Sequence, residues 1–306
     1  MPDLAILYEH PRWLSPLFAA LDRRGVDYTP IHIGDHRFDP ASRDLPALVV
    51  FNRIAMSSFL RSEDHPIFYA ASLLDRWETS GARIVNGPRT LAIDSSKARQ
   101  LALMADLGIA TPRTIVVHQP SDVPAAAEEI GYPLIVKANI GGSGAGIVRY
   151  DDATSLRGAG ASGDIPTSID RVLLVQDYVP ARGGRVMRIE VLGGGYLYGL
   201  EIDGSGDSFD LCPADVCLVE TGKPAMTMRR AEPAPALIAA AESIAAAMGL
   251  DVGGVEYIID DRDGTPRFYD INAMSNFVAD PLAVLGWDPH ERLVDYLVGI
   301  IEEQRA

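Results

Sequence analysis

The chain has 306 residues, is 47% hydrophobic and carries a formal net charge of −15 at pH 7, which allows roughly two or three cores of ordinary size. This acidic total repels phosphate backbones and anionic lipid, so neither nucleic acid nor a membrane is an expected partner. No run reaches the roughly 18 apolar residues of a membrane span and the N-terminus lacks a signal peptide's basic start, so the cytoplasm is the expected location.

Residues 1–90 alternate predicted strands and helices. Strands are expected at LAILY, YTPIHIG, ALVVFNR and ARIVNG, and helices at WLSPLFAALDRRG and HPIFYAASLLDRWETSG. This alternation is typical of an open α/β unit with a mostly parallel sheet. We therefore expect one small layered domain that supplies one wall of a cleft.

Residues 91–180 predict a second α/β layer. In DSSKARQLALMADLGIATP, Asp94 or Ser95 is the expected cap of a helix that ends at Gly108. Strands are expected at RTIVVH, PLIVKA, GIVRY and RVLLVQDYV, with a helix at VPAAAEEIG. The stretch 158–170, rich in glycine and small polar residues, is interpreted as a surface loop.

Residues 181–306 predict the strands VMRIEVLGG and YLYGLEID, an alanine-rich helix APALIAAAESIAAAMG, and the hairpin GGVEYIIDDRDGTPRFYDIN. The D-R-D-G turn implies an antiparallel hairpin back to Glu256; if Glu256 lies opposite Asp270, the midpoint falls at Asp263, inside that turn. Cys212 and Cys217 have no second cysteine pair with which to form a zinc site, so reduced structural thiols are expected.

The glycine-rich stretch LIVKANIGGSGAGIVRY follows a buried strand that carries a lysine. Its spacing, Gly142, Gly144 and Gly146, misses the dinucleotide fingerprint, and the P-loop and protein-kinase signatures are also absent. A hairpin remains whose backbone N–H groups could close over phosphates, with Lys137 as a point charge. The alternative is an ordinary glycine-rich hairpin with a snorkelling lysine.

Two further positions suit a nucleotide. Lys97 lies in the first turn of its helix, where the macrodipole disfavours a cation, so a nearby anion would explain it; a solvated surface lysine is the alternative. The strand LLVQDYV runs into Gln176, Asp177 and Tyr178, where exposed backbone could pair an adenine edge and a carboxylate could take ribose hydroxyls. The alternative there is a plain strand end.

The hairpin carries the strongest pattern. Asp270 and Asn272 lie two residues apart on one strand and therefore face the same side. Together with Glu256 they offer hard oxygen ligands of the kind that Mg²⁺ prefers. An EF-hand is excluded because Ile259 would occupy its first ligand position, and a solvated acidic face is the alternative.

With these motifs in order, the chain resembles the ATP-grasp superfamily, and within it the RimK-like and glutathione-synthetase-like carboxylate–amine ligases, from about Asn86 to Phe277. The resemblance implies an ATP-grasp fold, α/β and α+β, with an N-terminal open α/β (pre-ATP-grasp) domain over 1–90. A central subdomain with the glycine-rich loop would span 91–180, and a C-terminal subdomain with the metal site would span 181–306.

The resemblance also implies cofactors and site residues. ATP and Mg²⁺ are expected, with Mn²⁺ as an alternative ion, and Arg188 and Lys137 would act in catalysis. The metal ligands would be Glu256, Asp270 and Asn272. The nucleotide-binding residues would be Lys97, Lys137, Gly141, Gly142, Ser143, Gly144, Gln176, Asp177, Tyr178 and Val179.

The activity that the resemblance implies is an ATP-dependent, ADP-forming ligase that makes an amide or peptide bond through an acylphosphate. Its substrate would be an amino acid, a peptide or another small carboxylate. Val186 stands where the family has an aspartate, and DSFDLCPADVC and AMSNF replace its substrate-reading motifs, so glutamate is not assured as substrate. A nucleotide-binding paralogue without ligation and a carboxylate kinase remain alternatives.

The expected partners are small-molecule carboxylate and amine substrates, or a peptide that is not acidic, because an acidic enzyme should not favour an acidic carrier. A homodimer or higher oligomer is expected by analogy with the family.

Overall fold

Three β-sheets organise the chain in the computed structural model. The structure describes residues 2–142, 144, 146–203 and 227–306. Ser143, Cys212, Cys217 and the segment DSFDLCPADVC therefore lie outside the described residues, and the predictions made for them stay predictions.

The first sheet is entirely parallel, which confirms the prediction for this part of the chain. Its strands pair in the order β2-β1-β3-β4. The bounds are β1 (Leu4–Tyr8), β2 (Tyr28–His32), β3 (Val49–Arg53) and β4 (Arg83–Val85), with helices α1 (Ser15–Arg23) and α2 (Pro66–Thr79). Alternate residues of β1 point to opposite faces, so Ala5 and Leu7 pack against α2 whereas Leu4 and Ile6 pack against α1.

The second sheet is antiparallel, in the order β5-β8-β6-β7. Its strands are β5 (Thr114–Val117), β6 (Leu134–Ala138), β7 (Ile147–Tyr150) and β8 (Leu173–Asp177). The helices of this region are α3 (Pro88–Asp94), α4 (Lys97–Asp106), α5 (Val123–Ile130) and α6 (Ala153–Ser162).

Two predictions for this region are wrong. The cap of α4 is Ser96, whose hydroxyl accepts from the Arg99 amide, because Asp94 ends the separate helix α3 and its carboxylate accepts instead from the Ala273 amide. The first part of the predicted loop 158–170 is helical, because Asp152 caps α6 by accepting from the amides of Thr154 and Ser155.

The third sheet is antiparallel, in the order β11-β10-β9-β12-β13. Its strands are β9 (Arg185–Leu192), β10 (Gly195–Asp203), β11 (Met228–Ala231), β12 (Val252–Ile259) and β13 (Pro266–Asn272). Helix α7 (Pro235–Met248) lies between β11 and β12, and α8 (Pro281–Val284) and α9 (Pro289–Arg305) follow β13. No helix in the described part of the chain combines the length and the apolar character of a membrane span.

Helix α9 returns to the first sheet and covers the face that α1 covers only in part. Leu293, Val294 and Leu297 share one buried cluster with Ile6 and Phe51. A core therefore joins residues of 1–90 with residues of 181–306, although the predicted boundaries at 90 and 180 themselves stay a prediction.

Asn86 fixes the connection between β4 and the rest of the chain. Its backbone is left-handed, with φ of +54°, and its side chain is buried. The amide Nδ2 donates to the carbonyls of Val252 and Ala273, both at 2.7 Å, while Oδ1 accepts from the amides of Asp251 and Val252. This one residue links the first sheet to strands β12 and β13.

Candidate active site

Lys97 and Asp270 form the first contact of the site. Lys97 is the first residue of α4, and its ammonium donates to Asp270 Oδ1 on β13. The Lys97 side chain is only 12% exposed, which contradicts the alternative of a solvated surface lysine. A cation at a helix N-terminus is disfavoured by the macrodipole, so the carboxylate of Asp270 compensates that charge here.

Lys137 lies on β6, with its side chain buried near Lys97 and Asp270. Burial lowers the pKa of this lysine to about 7; the positive charge of Lys97 lowers it further, and the negative charge of Asp270 opposes both. No carboxylate of the described residues forms an ion pair with it. A buried ammonium without an ion-pair partner is costly, which is the property expected of a site that receives an anion.

The hairpin β12–β13 has the predicted register, with Glu256 directly opposite Asp270. A bulge follows, because Tyr257 pairs with Phe268 and so leaves Tyr269 as the extra residue. The Tyr269 hydroxyl donates to Glu256 Oε2 at 2.9 Å, and Asn272 Nδ2 donates to Glu256 Oε1 at 3.3 Å. The three predicted metal ligands therefore lie together on one face of the sheet.

Arg188 lies between two carboxylates on this face. Its Nε donates to Glu190 Oε1 at 2.6 Å and its Nη1 to Glu256 Oε1 at 2.7 Å. Burial would lower the pKa of the guanidinium, but the charges of Glu190 and Glu256 outweigh this effect and raise it. Gly254 permits this arrangement, since a Cβ there would lie 2.3 Å from Arg188 Nη2.

The donor set fits a hard divalent cation. Glu256 and Asp270 supply carboxylate oxygens and Asn272 an amide oxygen, which is the chemistry that Mg²⁺ takes up with phosphate and water to complete its octahedron. Among the described residues no three His, Cys, Asp or Glu side chains are grouped for a metal, so the set depends on the Asn272 amide. Burial raises the pKa of Glu256, and the negative charge of Asp270 adds to that effect while Arg188 opposes it, so a further cation would favour its ionised form.

The glycine-rich loop joins β6 to β7 as an antiparallel hairpin, as predicted. At its start the side chain of Asn139 accepts from the Ala98 amide at 2.9 Å and donates to Asp170 at 2.6 Å. Gly141 and Gly142 follow, and a Cβ at Gly142 would lie 2.7 Å from Ser57 Cβ of the first domain. Further along, Gly144 has a φ of +69°. Asn139, which sequence reasoning missed, thus fixes this loop beside the N-terminus of α4.

The end of β8 carries the other predicted nucleotide residues. The Gln176 side chain is buried and its Nε2 donates to Thr114 Oγ1 at 2.7 Å. The Asp177 carboxylate accepts two hydrogen bonds from Arg262, at 3.2 and 2.7 Å. The Tyr178 ring lies 4.0 Å from the Arg149 guanidinium. Within the described part of the chain the Val179 amide donates no hydrogen bond, which leaves it available to an adenine edge.

Three buried charged residues of the site were not identified from the sequence: Asp94, Arg53 and Glu190. Burial raises the pKa of Asp94 to about 7, against the hydrogen bond from the Ala273 amide. Arg53 is the one charge at the end of the apolar strand β3, and Glu190 alternates with apolar residues in β9. Only the alternation of β9, which sets Glu190 on the same face as Arg188, could have indicated one of them.

The middle of the chain matches a known protein family. The model of the RimK-like ATP-grasp domain matches residues 94–280. A probable α-L-glutamate ligase of Pseudomonas fluorescens is 31% identical over 127 residues, which are 41% of this chain and 41% of that protein. The matched stretch thus spans about two fifths of the length of this curated relative.

Solved structures show the same fold over nearly the whole chain. A RimK domain ATP-grasp protein from Sphaerobacter thermophilus has a TM-score of 0.70 at 20% identity, covering 96% of this chain and 98% of that one. The ATP-grasp ligase PsnB, in complex with a phosphomimetic variant of its minimal precursor, Mg and ADP, has a TM-score of 0.69 at 18% identity, covering 98% and 100%. The ATP-grasp fold is therefore confirmed, and since the family model covers more than half of the chain, the protein belongs to the RimK-like ATP-grasp family.

Proposed function

We propose that this protein is an ATP-dependent, ADP-forming ligase that joins a carboxylate to an amine. The observation that carries the proposal is the convergence of two lysines, two carboxylates and one amide in one cluster: Lys97, Lys137, Glu256, Asp270 and Asn272. The Lys137 ammonium, which forms no ion pair within the described residues, and the hard-oxygen donor set are complementary to a nucleotide phosphate with a divalent cation. Family membership supports the same chemistry.

Each residue has a role in this proposal. Lys97 and Lys137 hold phosphate oxygens, and Gly141, Gly142, Ser143 and Gly144 close backbone N–H groups over them and exclude water. The backbone at Tyr178 and Val179 receives the adenine edge, while Gln176 and Asp177 shape that end of the cleft through Thr114 and Arg262.

Glu256, Asp270 and Asn272 would hold Mg²⁺, or Mn²⁺ in its place. The bound ion would supply neutralisation of phosphate charge. The substrate carboxylate takes the γ-phosphoryl group of ATP and releases ADP; the amine then attacks the resulting acylphosphate, expels inorganic phosphate and loses a proton to give the amide. Arg188 presents a fixed positive charge beside the ligand carboxylates, because Glu190 and Glu256 hold its guanidinium from two sides. No side chain needs to act as a nucleophile, since alignment and charge neutralisation carry the phosphoryl transfer.

The proposed partners are small-molecule carboxylate and amine substrates or a peptide that is not acidic, and the proposed compartment is the cytoplasm. A homodimer or higher oligomer is also proposed. Light scattering at micromolar concentration should give a multiple of 33.0 kDa, and a mass of one chain would contradict the oligomer.

The test is the variant Asp270→Asn, which keeps the size of the side chain and removes its charge. We expect it to fold and to bind nucleotide, while Mg²⁺-dependent ADP release in a mixture of amino acids and short peptides falls by orders of magnitude. Asp261→Asn is the matched control, because Asp261 lies in the turn of the same hairpin and its side chain is 61% exposed. The control should release ADP as the wild type does.

The products separate the alternatives. Amide formation supports the ligase, whereas ADP and an acylphosphate without amide would assign a carboxylate kinase. Nucleotide binding without any ADP release would assign a non-catalytic paralogue. Unchanged turnover in Asp270→Asn would remove the metal assignment and most of this mechanism.

A further inference from the structure

Arg53 is a fully enclosed arginine at the end of β3, in the first sheet, with a side chain that is only partly satisfied. Its Nη2 donates to the Ser275 carbonyl at 2.7 Å and to Asn276 Oδ1 at 2.9 Å. Its Nε and Nη1 are buried and find no hydrogen-bond partner among the described residues. Unmade hydrogen bonds of a buried cation are costly, so these two donors call for an acceptor.

Glu190 lies near Arg53 and has the opposite need, since one of its buried acceptor oxygens lacks a donor. It is 0% exposed, and its Oε1 accepts from Arg188 Nε at 2.6 Å and from Ser275 Oγ at 2.9 Å. Its Oε2 is buried without a partner in the described part of the chain. A buried carboxylate oxygen in this state calls for a donor.

Ser275 connects the two groups. Its carbonyl accepts from Arg53 and its hydroxyl donates to Glu190, so an unpaired cationic donor and an unpaired anionic acceptor flank one residue. The two side chains do not form an ion pair with each other in the described structure, although burial lowers the pKa of Arg53 to about 10 and the charge of Glu190 partly opposes this. Arg53 therefore still lacks acceptors for Nε and Nη1, and Glu190 still lacks a donor for Oε2.

The position of this pair relates it to the proposed reaction. Glu190 pairs with Gly254 and Arg188 with Glu256 across strands β9 and β12, so Glu190 lies two residues from the proposed metal ligand row, or about 7 Å along the strand. Arg53 reaches the same place from the first sheet. A ligand held here would lie beside the phosphate and metal end of the cleft.

We propose that Arg53, Ser275 and Glu190 form a subsite for the zwitterionic head of a small amino acid. The ligand's carboxylate accepts from Arg53 Nε and Nη1, and its ammonium group donates to Glu190 Oε2. The inference rests on the proposed ligase function, since it assigns one of the two substrates. Because both groups are enclosed, binding opens the contact between Arg53 and the Ser275–Asn276 segment.

The experiment uses the common amino acids as probes of the full-length protein in the presence of ADP and Mg²⁺, with binding measured by calorimetry and thermal shift. Each amino acid that binds is compared with its α-carboxamide and its N-acetyl derivative. We expect the wild type to bind the free amino acid about tenfold or more tightly than either derivative, since each derivative leaves one buried charge unpaired.

Two variants should each remove one half of this preference for the free amino acid over its derivatives. Glu190→Gln is expected to lose the discrimination against the N-acetyl form and to keep the discrimination against the carboxamide. Arg53→Gln should do the reverse, and Arg53→Lys, which keeps the charge, provides the same comparison if Arg53→Gln does not fold. Arg230→Gln and Glu232→Gln are the controls, because they alter an exposed ion pair of 2.8 Å, and both should bind as the wild type does.

Equal binding of the derivatives by the wild type, no binding of any amino acid, or variants that shift both preferences alike would overturn the subsite. The proposed function is tested separately by product. An enzyme that makes an amide but shows none of this discrimination loses only the subsite. A protein that shows the crossed preferences but never releases ADP keeps the subsite and loses the ligase function.

Discussion

Lys137 sets the pH behaviour of the site, because its ammonium is buried beside another lysine. The folded chain holds its pKa at about 7, down from 10.5, chiefly through burial. Between these two values the unfolded chain binds a proton that the folded chain does not, so unfolding takes up a proton and stability rises with pH. A charged lysine in this place thus destabilises the free protein below neutral pH.

We expect the stability of the nucleotide-free protein to increase from pH 7 to pH 9 by more in the wild type than in Lys137→Met. Urea unfolding at the two pH values measures the difference between the two proteins. Equal pH dependence would contradict the low pKa of this lysine.

Lys137 should also make nucleotide binding detectable as an uptake of protons. Phosphate next to Lys137 favours its charged form, so nucleotide binding near pH 8 should take up a proton. Calorimetric titrations with ADP in two buffers of different ionisation enthalpy would show the uptake. Lys137→Met should bind ADP more weakly and without proton uptake.

Gly254 is required by a close approach rather than by its backbone angles. A Cβ at this position would lie 2.3 to 2.4 Å from three atoms of the Arg188 guanidinium, which cannot yield without breaking its bonds to Glu190 and Glu256. We expect Gly254→Ala to lower the free energy of unfolding by about 1–3 kcal/mol and to reduce ADP release strongly.

Gly158→Ala is the control for that prediction. Gly158 is an exposed residue of α6 with nothing within 4 Å of an added Cβ. Alanine there should raise stability by about 0.5–1 kcal/mol without changing turnover. An equally harmless Gly254→Ala would show that Arg188 is not held where the structure has it.

At the scale of elements, the hairpin β12–β13 shows what local chemistry determines. The turn pairs Tyr257 with Phe268 and by itself would set Glu256 opposite Tyr269, so the pairing of Glu256 with Asp270 depends on the bulge. The hairpin itself could be predicted from the sequence alone, because the D-R-D-G turn marks it. The bulge at Tyr269 could not, because no residue type marks it. The cap of α4 was missed because Asp94, Ser95 and Ser96 all suit a cap, and only the distant Ala273 amide shows that Asp94 is engaged elsewhere. Helix α6 was missed because Gly158 and Gly160 suit a loop, although the Asp152 cap that starts it is a local signal.

Asn86 carries a connection that no local pattern identifies. Its side chain makes four hydrogen bonds to residues beyond position 250, and its own backbone is left-handed. We expect Asn86→Ala to cost about 3 kcal/mol in the free energy of unfolding measured in urea.

The variant Asn86→Gly separates the two contributions. Glycine removes the same hydrogen bonds but adopts the left-handed backbone without strain, so it should be about 1 kcal/mol less destabilising than alanine. If alanine and glycine were equally costly, backbone strain at this position would have no part in the effect.

At the scale of the whole molecule, the core under α9 joins the first sheet to the last helix. Leu297 is completely buried there, so Leu297→Ala should cost about 2–5 kcal/mol. Trp13 and Trp77 report on the clusters that cover the first sheet, and Trp287 reports on the segment before α9. We expect tryptophan fluorescence and far-UV circular dichroism to show one coincident urea transition, shifted to lower urea in the variant.

Leu282→Ala is the matched control, since Leu282 is 67% exposed and its loss should change stability by less than about 0.5 kcal/mol. Two separate transitions in the wild type would contradict the shared core.

Long-range contacts also explain which site residues escaped sequence reasoning. Lys97, Lys137, Glu256, Asp270 and Asn272 each stand in a motif whose spacing suggests a ligand. Arg53 stands in β3 of the first sheet, and it can be assigned to the site only because the fold brings Ser275 beside it. No sequence pattern encodes a contact between residues so far apart.

Helix α9 covers one face of the first sheet but is synthesised long after the strands of that sheet. The strands β1 to β3 leave the ribosome early, yet the helix that completes one of their faces follows only after the residues 54–288. At about 5–20 residues per second, this face stays open for roughly 12 to 47 seconds. During that interval the emerging chain exposes the apolar side chains of this face, which belong to Leu4, Ile6, Val49 and Phe51. A chaperone that shields the emerging polypeptide would act on this face first.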